Sequence, residues 1–171
     1  MKTILITGMS ATGKSTLINE LCDLGYTAID FDNDTYSIWA DAESTPEFPD
    51  NEVIPGKDWI WHEERVLNLL NTTETDLLFV SGCASNMSKF YPWFNSIILL
   101  TTTEKVMADR LATRKGIAYG QTPPEVARIL RLKQTIEPLL VNAADLVIDS
   151  NASLQSIMGI ILQHANSIRV T

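Results

Sequence analysis

The sequence predicts an α/β fold: a five-stranded parallel sheet with helices on both faces. Three observations predict it. Short apolar, β-branched runs recur along the chain, the first being Ile4-Leu5-Ile6. Amphipathic segments of helical length stand between them. A glycine-punctuated loop joins the first run directly to the first helix, as in sheets whose crossovers are helical.

In order, residues 3–7 form the first strand and residues 8–13 the loop. A helix follows over about 14–24, with Gly25 as its C′ stop. Residues 26–29 make the second strand, which ends in Asp30-Phe31-Asp32. Residues 41–57 are acidic and contain Pro46, Pro49, Pro55 and Gly56, a composition that predicts loop. The next helix spans 58–71, with Val66, Leu67, Leu69 and Leu70 on its apolar side. Trp59 and Trp61, two apart, fall on different faces of that helix. Residues 77–80 are the third strand, closed by Ser81-Gly82, and 96–100 the fourth. Thr101 and Glu104 have capping-box spacing and open a helix that runs to about Arg114. A loop over 115–121, bounded by Gly116 and Gly120, precedes Thr122-Pro123-Pro124-Glu125. That tetrapeptide combines an N-cap, first-turn prolines and Glu at N3, and starts a further helix. A fifth strand at 145–148 and a last helix at 154–165 complete the chain.

The 171 residues fit one domain with a substantial core, taken here as residues 1–171. A formal net charge of −8 argues against a nucleic-acid or anionic-membrane partner, because both need a broad basic face. The two cysteines, Cys22 and Cys83, form no metal-ligand spacing. With no apolar run of membrane-spanning length, a cytoplasmic location is expected. Oligomeric state is not legible.

Function is carried by Gly8-Met9-Ser10-Ala11-Thr12-Gly13-Lys14-Ser15, followed by Thr16, which fits the Walker A pattern of a P-loop. The glycines let successive backbone N–H groups curl around one anion, and the helix that starts there adds the positive end of its dipole. Lys14, on a solvent-facing loop, reaches the β- and γ-phosphates, and the Ser15 hydroxyl meets magnesium. The pattern therefore assigns Gly8, Ser10, Ala11, Thr12, Gly13, Lys14, Ser15 and Thr16 to ATP with Mg2+. The guanine-reading Asn-Lys-x-Asp of GTPase switches is absent, as is their Asp-x-x-Gly. The third strand ends without the acid found in motors and ABC-type ATPases.

The chain resembles the shikimate kinase, gluconate kinase and adenylate-kinase-like group of P-loop small-molecule kinases, over nearly its whole length. The resemblance implies a three-layer P-loop fold with strand order 2-3-1-4-5. Asp30 and Asp32 match the D-x-D that ends the second strand in shikimate kinases. By that match Asp30 sits near magnesium and Asp32 meets the acceptor hydroxyl as orienter or base; the alternative is a turn and a helix cap. Asp109-Arg110-Leu111 with Arg114 resembles the arginine-bearing start of the lid. Arg114 would then act on the transferring phosphoryl and Arg110 on the nucleotide; the alternative is a solvated charged face. The acceptor region would cover about 32–72 and the lid about 114–123. Gly82 stands where those kinases have a glycine run. Pro138-Leu139, Ala144-Asp145 and Ile148-Asp149-Ser150 resemble the segment that brings a loop over adenine.

The departures bear on the substrate. Where shikimate kinases place two carboxylate-binding arginines, this chain has Ile60 or Trp61 and Ile136. Lys57, Arg65 and Lys89 are the cations between Tyr26 and Leu100, a stretch rich in acids. The expected reaction is γ-phosphoryl transfer from ATP to a hydroxyl of a small acceptor, neutral or cationic and not shikimate. Alternatives are a nucleotide or nucleoside kinase, or a regulatory nucleotide-binding protein with little transfer activity. Arg128 and Arg131 are read first as surface charges, the alternative being lid arginines that fold over the acceptor, and one of Trp59 and Trp61 is read as core. His62 is read as structural or exposed, and Cys83 as lying near the cleft without a reactive setting.

Overall fold

The fold was examined in a computed structural model, which describes residues 1–41, 55–116 and 119–169. Strand β1 (Lys2–Thr7) leads through the glycine loop into helix α1 (Lys14–Asp23), and β2 (Thr27–Asp30) follows. The two strands β3 (Ser37–Asp41) and β4 (Lys57–Trp61) precede helix α2 (Glu63–Thr72) and strand β5 (Leu77–Ser81). A 3-10 helix, Met87–Trp93, leads to β6 (Ser96–Thr101) and α3 (Glu104–Thr113). Helix α4 (Pro123–Ala143), strand β7 (Leu146–Asp149) and helix α5 (Leu154–Ser167) complete the order.

Five strands form one parallel sheet in the order β2-β5-β1-β6-β7. Numbered within the sheet alone, that is 2-3-1-4-5, as expected. The central strand β1 is buried from Thr3 to Thr7, so it reads as an unbroken apolar run rather than an alternating one. Its side chains feed two separate cores. Leu5 points to the side that holds Phe31, Trp61, Val66, Leu70 and Phe90. Ile4 and Ile6 point to the other, packed by α1 and α5 through Leu17, Leu21, Ile157 and Ile161.

Several local expectations are corrected. Residues 57–61 are strand, not the start of a helix. They pair antiparallel with β3 in a two-stranded sheet, Ser37 opposite Trp61 and Trp39 opposite Trp59. Consequently the ends of the acidic segment 41–57 are strand residues; residues 42–54 lie outside the described ones. In a strand the i, i+2 spacing puts Trp59 and Trp61 on the same face. Trp61 at the root is fully buried, while Trp59 is half-buried beside Trp39. The N-cap of α3 is Thr103, whose hydroxyl accepts from the Val106 N–H, rather than Thr101. The 3-10 helix was not foreseen: Pro92 sits inside it, and its seven residues are too few to show a helical period. The capping box at Thr122 and Glu125 is present as read.

Trp61 joins the small sheet to the large one. Its ring packs edge-on to Phe31 at 5.1 Å between centroids and tilted against Phe90 at 5.4 Å. Trp61→Ala is expected to cost about 3–5 kcal/mol of stability, the usual range for a fully buried aromatic. Urea denaturation measures this. A loss under 1 kcal/mol would mean that the small sheet is not anchored through this ring.

Candidate functional site

The loop after β1 is shaped by close packing. Gly8 has φ +151°, and a Cβ there would stand 2.4 Å from the Leu100 carbonyl oxygen of β6, so no side chain fits. Ala11 takes the left-handed φ of 62°, which costs a non-glycine residue energy and is held only where the surroundings enforce it. The surroundings here are hydrogen bonds. The Thr12 hydroxyl donates to the Met9 carbonyl at 2.8 Å, and Arg110 Nη1 donates to the Ala11 carbonyl at 3.2 Å. Gly13 caps α1 with φ 99°. Contrary to the expectation of a solvent-facing residue, Lys14 is only 9% exposed. Its ammonium curls back over the loop and donates to the Gly8 carbonyl at 2.8 Å and the Met9 carbonyl at 3.3 Å. Asp32 Oδ2 lies 3.7 Å from the same nitrogen.

The ends of β2 and β5 face this loop. Ser15 Oγ donates to Asp30 Oδ2 at 2.7 Å. Asp30 Oδ1 accepts from the Ser81 hydroxyl and from the Asp32 N–H, both at 3.0 Å. Asp30 therefore both forms a turn and reaches the P-loop serine. Asp32 Oδ1 accepts from the Cys83 N–H at 3.1 Å. That bond is possible because Gly82, at φ +156°, leaves a gap. A Cβ there would fall 2.9 Å from Trp61 Cζ2 and 3.0 Å from Asp32 Oδ1. Burial pushes the Asp32 carboxyl above its ordinary range; Lys14 pulls it down, Asp30 pushes it up, and the net direction is up. Burial also raises the Cys83 thiol, so it rests as the neutral form.

The arginines divide by position. Arg110 bridges the P-loop to the turn after β7, donating to Ser150 Oγ at 3.0 Å and to the Ser150 carbonyl at 2.7 Å as well as to Ala11. Arg114, at the C-cap of α3, enters the cleft and donates to the Tyr119 carbonyl, while its Nε is buried with no partner among the described residues. Burial lowers its affinity for its proton. The returning end of this loop is pinned by Glu125, whose Oε2 accepts from the N–H groups of Gly120, Gln121 and Thr122 at 3.0–3.1 Å. Arg128, read from sequence as a surface charge, is instead 7% exposed and lines the cleft. Arg131, its neighbour in that reading, is exposed. The i, i+3 spacing on a helix that closes one wall was the signal that separates them, and one sequence does not say which face is inward.

Lys14, Asp32, Cys83, Arg110, Arg114 and Arg128 border one cavity of about 1140 Å³. The loop residues Met9 to Thr16 line it too, as do Trp39, Lys57, Asp58, Trp59, Tyr91 and Tyr119. Ser15 Oγ and the Asp30 carboxylate are hard oxygen donors side by side, a set that fits magnesium. Among the described residues there is no cluster of three or more His, Cys, Asp or Glu that could hold a metal. Phosphate oxygens and water would have to supply the remaining ligands of a cation, as is usual for magnesium. No helix among the described residues is long and apolar enough to cross a membrane.

The family model of an AAA domain matches residues 4–150. The chain belongs to that AAA domain family. Its fold is that of P-loop small-molecule kinases. It is similar to the shikimate kinase from Acinetobacter baumannii, solved with shikimate, at 18% identity and TM-score 0.62, covering 99% of this chain and 96% of that one. A gluconokinase from Sinorhizobium meliloti 1021 is similar at 18% identity and TM-score 0.59, covering 96% and 91%. Deoxyadenosine kinase from M. mycoides, solved with bound dATP, is similar at 15% identity and TM-score 0.56, covering 96% and 100%. Comparison with curated proteins gives no match. At these identities the likeness is one of fold.

In this AAA domain the raised Asp32 has a consequence for stability. A folded carboxylate with a raised pKa keeps a proton that the unfolded chain has already released, so stability falls as pH rises through that window. Asp32→Asn removes the ionisation. Its stability relative to the unsubstituted protein should therefore rise between acid and neutral pH. Urea melts at about pH 4 and pH 7 test this, and an unchanged difference between the two conditions would contradict the stated environment of Asp32.

Proposed function

We propose that this protein is an ATP-dependent kinase that transfers the γ-phosphoryl group to a hydroxyl of a small acceptor. The observation that carries the reading is the convergence at Lys14. Its ammonium stands 3.7 Å from Asp32, so the phosphate loop and a proton-accepting carboxylate meet in one cavity.

In the proposed reaction Lys14 exchanges the Gly8 and Met9 carbonyl oxygens for phosphate oxygens. The loop N–H groups from Ser10 to Thr16 and the N-terminus of α1 receive the β-phosphate. Magnesium, held through Ser15 and Asp30, would offset charge on the β- and γ-phosphates. Arg110 braces the loop from behind and fixes the turn at Ser150 over the nucleotide end. Arg114, with its unsatisfied Nε, supplies positive charge to the transferring phosphoryl. Asp32 accepts the acceptor's hydroxyl proton, a task that its raised pKa suits. Phosphoryl transfer needs little covalent help, so positioning and charge neutralisation do most of the work. The whole chain is read as one kinase domain, with acceptor residues within 32–72 and a lid at 114–123. Of the proposed lid, residues 117 and 118 lie outside the described ones.

Lys14→Ala is expected to lower kcat/KM by about 10²-fold or more, with the circular dichroism spectrum retained. In the unsubstituted enzyme the acidic limb of kcat/KM should lie above the ordinary carboxylate range, because Asp32 must be ionised to accept a proton. Asp32→Asn should abolish that limb together with most of the rate. Near-normal turnover in either folded variant would reject the assignment, and tight ATP binding without transfer to any hydroxyl acceptor would favour a regulatory nucleotide-binding role.

A further inference from the structure

The β3–β4 sheet borders the cavity on the side away from the phosphate loop. Trp39 and Trp59 are cross-strand partners there, with ring centroids 5.1 Å apart and planes inclined by 57°. Trp39 is 44% exposed, an unusual condition for the largest apolar side chain unless it serves as a surface for something else. Asp58, one residue out of phase, also borders the cavity and is half-buried. Among the described residues, its Oδ1 accepts only the N–H of Trp59, at 2.8 Å.

The charges around it are already matched. Lys57 pairs with Asp41 at 2.5 Å. Arg65 donates to the Thr35 carbonyl at 2.9 Å and the Asp34 carbonyl at 3.4 Å. Lys89 pairs with Glu63. Among the described residues no lysine or arginine pairs with Asp58. Its charge nonetheless reaches the cavity wall, since both Cys83 and Tyr119 are held further toward their protonated forms by it. A half-buried carboxylate with spare acceptor capacity, on a cavity that Trp39 and Trp59 also line, is short of hydrogen-bond donors. Aromatic faces in turn favour ring C–H groups and cations.

We propose that Trp39, Asp58 and Trp59 form the acceptor-selecting subsite, and that it takes a ring alcohol carrying adjacent O–H or N–H donors and no anionic group. The ring lies on the tryptophan pair, Asp58 accepts two of its donors, and the reacting hydroxyl extends toward Asp32. An anionic acceptor on the tryptophan pair would meet the Asp58 carboxylate first; of the cations that line the cavity, Lys14, Arg110 and Arg114 serve the phosphates in this reading, and Arg128 hydrogen-bonds Tyr119. This inference rests on the kinase reading and adds the acceptor's chemistry to it.

The test uses the full chain with magnesium and ATP. The acceptor panel is myo-inositol as a neutral polyol, glucosamine as a protonated amino sugar, adenosine as a nucleoside, and shikimate and gluconate as anions. Phosphoryl transfer is read by product formation, and binding by tryptophan fluorescence. Binding of a non-hydrolysable ATP analogue is measured separately, so a loss of the kinase reading is seen apart from a loss of this one. The expected result is transfer to at least one of the three non-anionic rings and to neither anion. Asp58→Asn should raise the acceptor's KM by about tenfold or more, and Trp39→Ala should remove the fluorescence response. The comparison of acceptors shows whether O–H or N–H donors are preferred. Turnover of shikimate or gluconate ahead of the neutral and cationic rings would overturn the proposal, as would an acceptor KM unmoved in both variants. If the protein binds the ATP analogue but phosphorylates none of the three rings, this subsite assignment is wrong while the nucleotide site stands.

Discussion

Parallel pairing is the constraint on which everything else depends. Because β2, β5, β1, β6 and β7 run the same way, their carboxyl ends all emerge at one edge. The register brings Ile6 beside Ser81 and Asp30 beside Ser81, so the segments that leave β1 and β2 each lie one strand spacing from the end of β5. The phosphate loop, the Asp30–Asp32 turn and the Gly82–Cys83 corner are neighbours for that reason alone. Side-chain bonds then lock the arrangement, through Ser15 to Asp30, Ser81 to Asp30 and the Cys83 N–H to Asp32. None of these residues is near another in sequence except within a turn.

The electrostatics of that edge are finely opposed. A buried lysine is stabilised by carbonyl dipoles and a carboxylate, and a buried carboxylate is raised by its own desolvation more than it is lowered by the lysine. Neither group is fully matched by the other. Such partial matching leaves both with residual capacity for an incoming charge or proton, which is the usual condition of functional sites and a poor one for stability. The acidic composition of the chain is compatible with binding phosphate because the positive groups are concentrated. Lys14, Arg110, Arg114 and Arg128 line the cavity, as does Lys57, which is paired with Asp41, while Lys89 and Lys133 are held in ion pairs with nearby acids.

What the sequence made legible follows from how local each signal is. The P-loop, the order of the sheet strands and the capping box at Thr122 are encoded within a few residues of themselves, or in a resemblance that spans the chain, and each matches the structure. The β3–β4 pair was missed because its five-residue strand, Lys-Asp-Trp-Ile-Trp, runs into a true amphipathic helix. The helical period of residues 63–72 extends plausibly backward over it. Lys14 was placed in solvent because the motif defines what it does with a phosphate, not how it rests when its own loop supplies the oxygens. Arg128 was misplaced because the inward face of α4 is set by Leu111, Ile129 and the loop at Gly120, contacts that cross the chain.

One anchor of the small sheet has a wider consequence. The Asn86 side chain grips the backbone of Trp61 from both sides, accepting from its N–H and donating to its carbonyl, each at 2.9 Å. Ser37 holds the opposite strand by donating to the Phe31 carbonyl at 2.6 Å. Both attachments read main chain and sit at the root of the ribbon, so they are indifferent to the side chains farther out. A graft at this point is therefore structurally simple: the outer part of the ribbon can change in length or composition while the root and the parallel sheet keep their geometry. The fold thus separates a root held by main-chain attachments from an outer ribbon that those attachments do not read, with one amide and one hydroxyl marking the border.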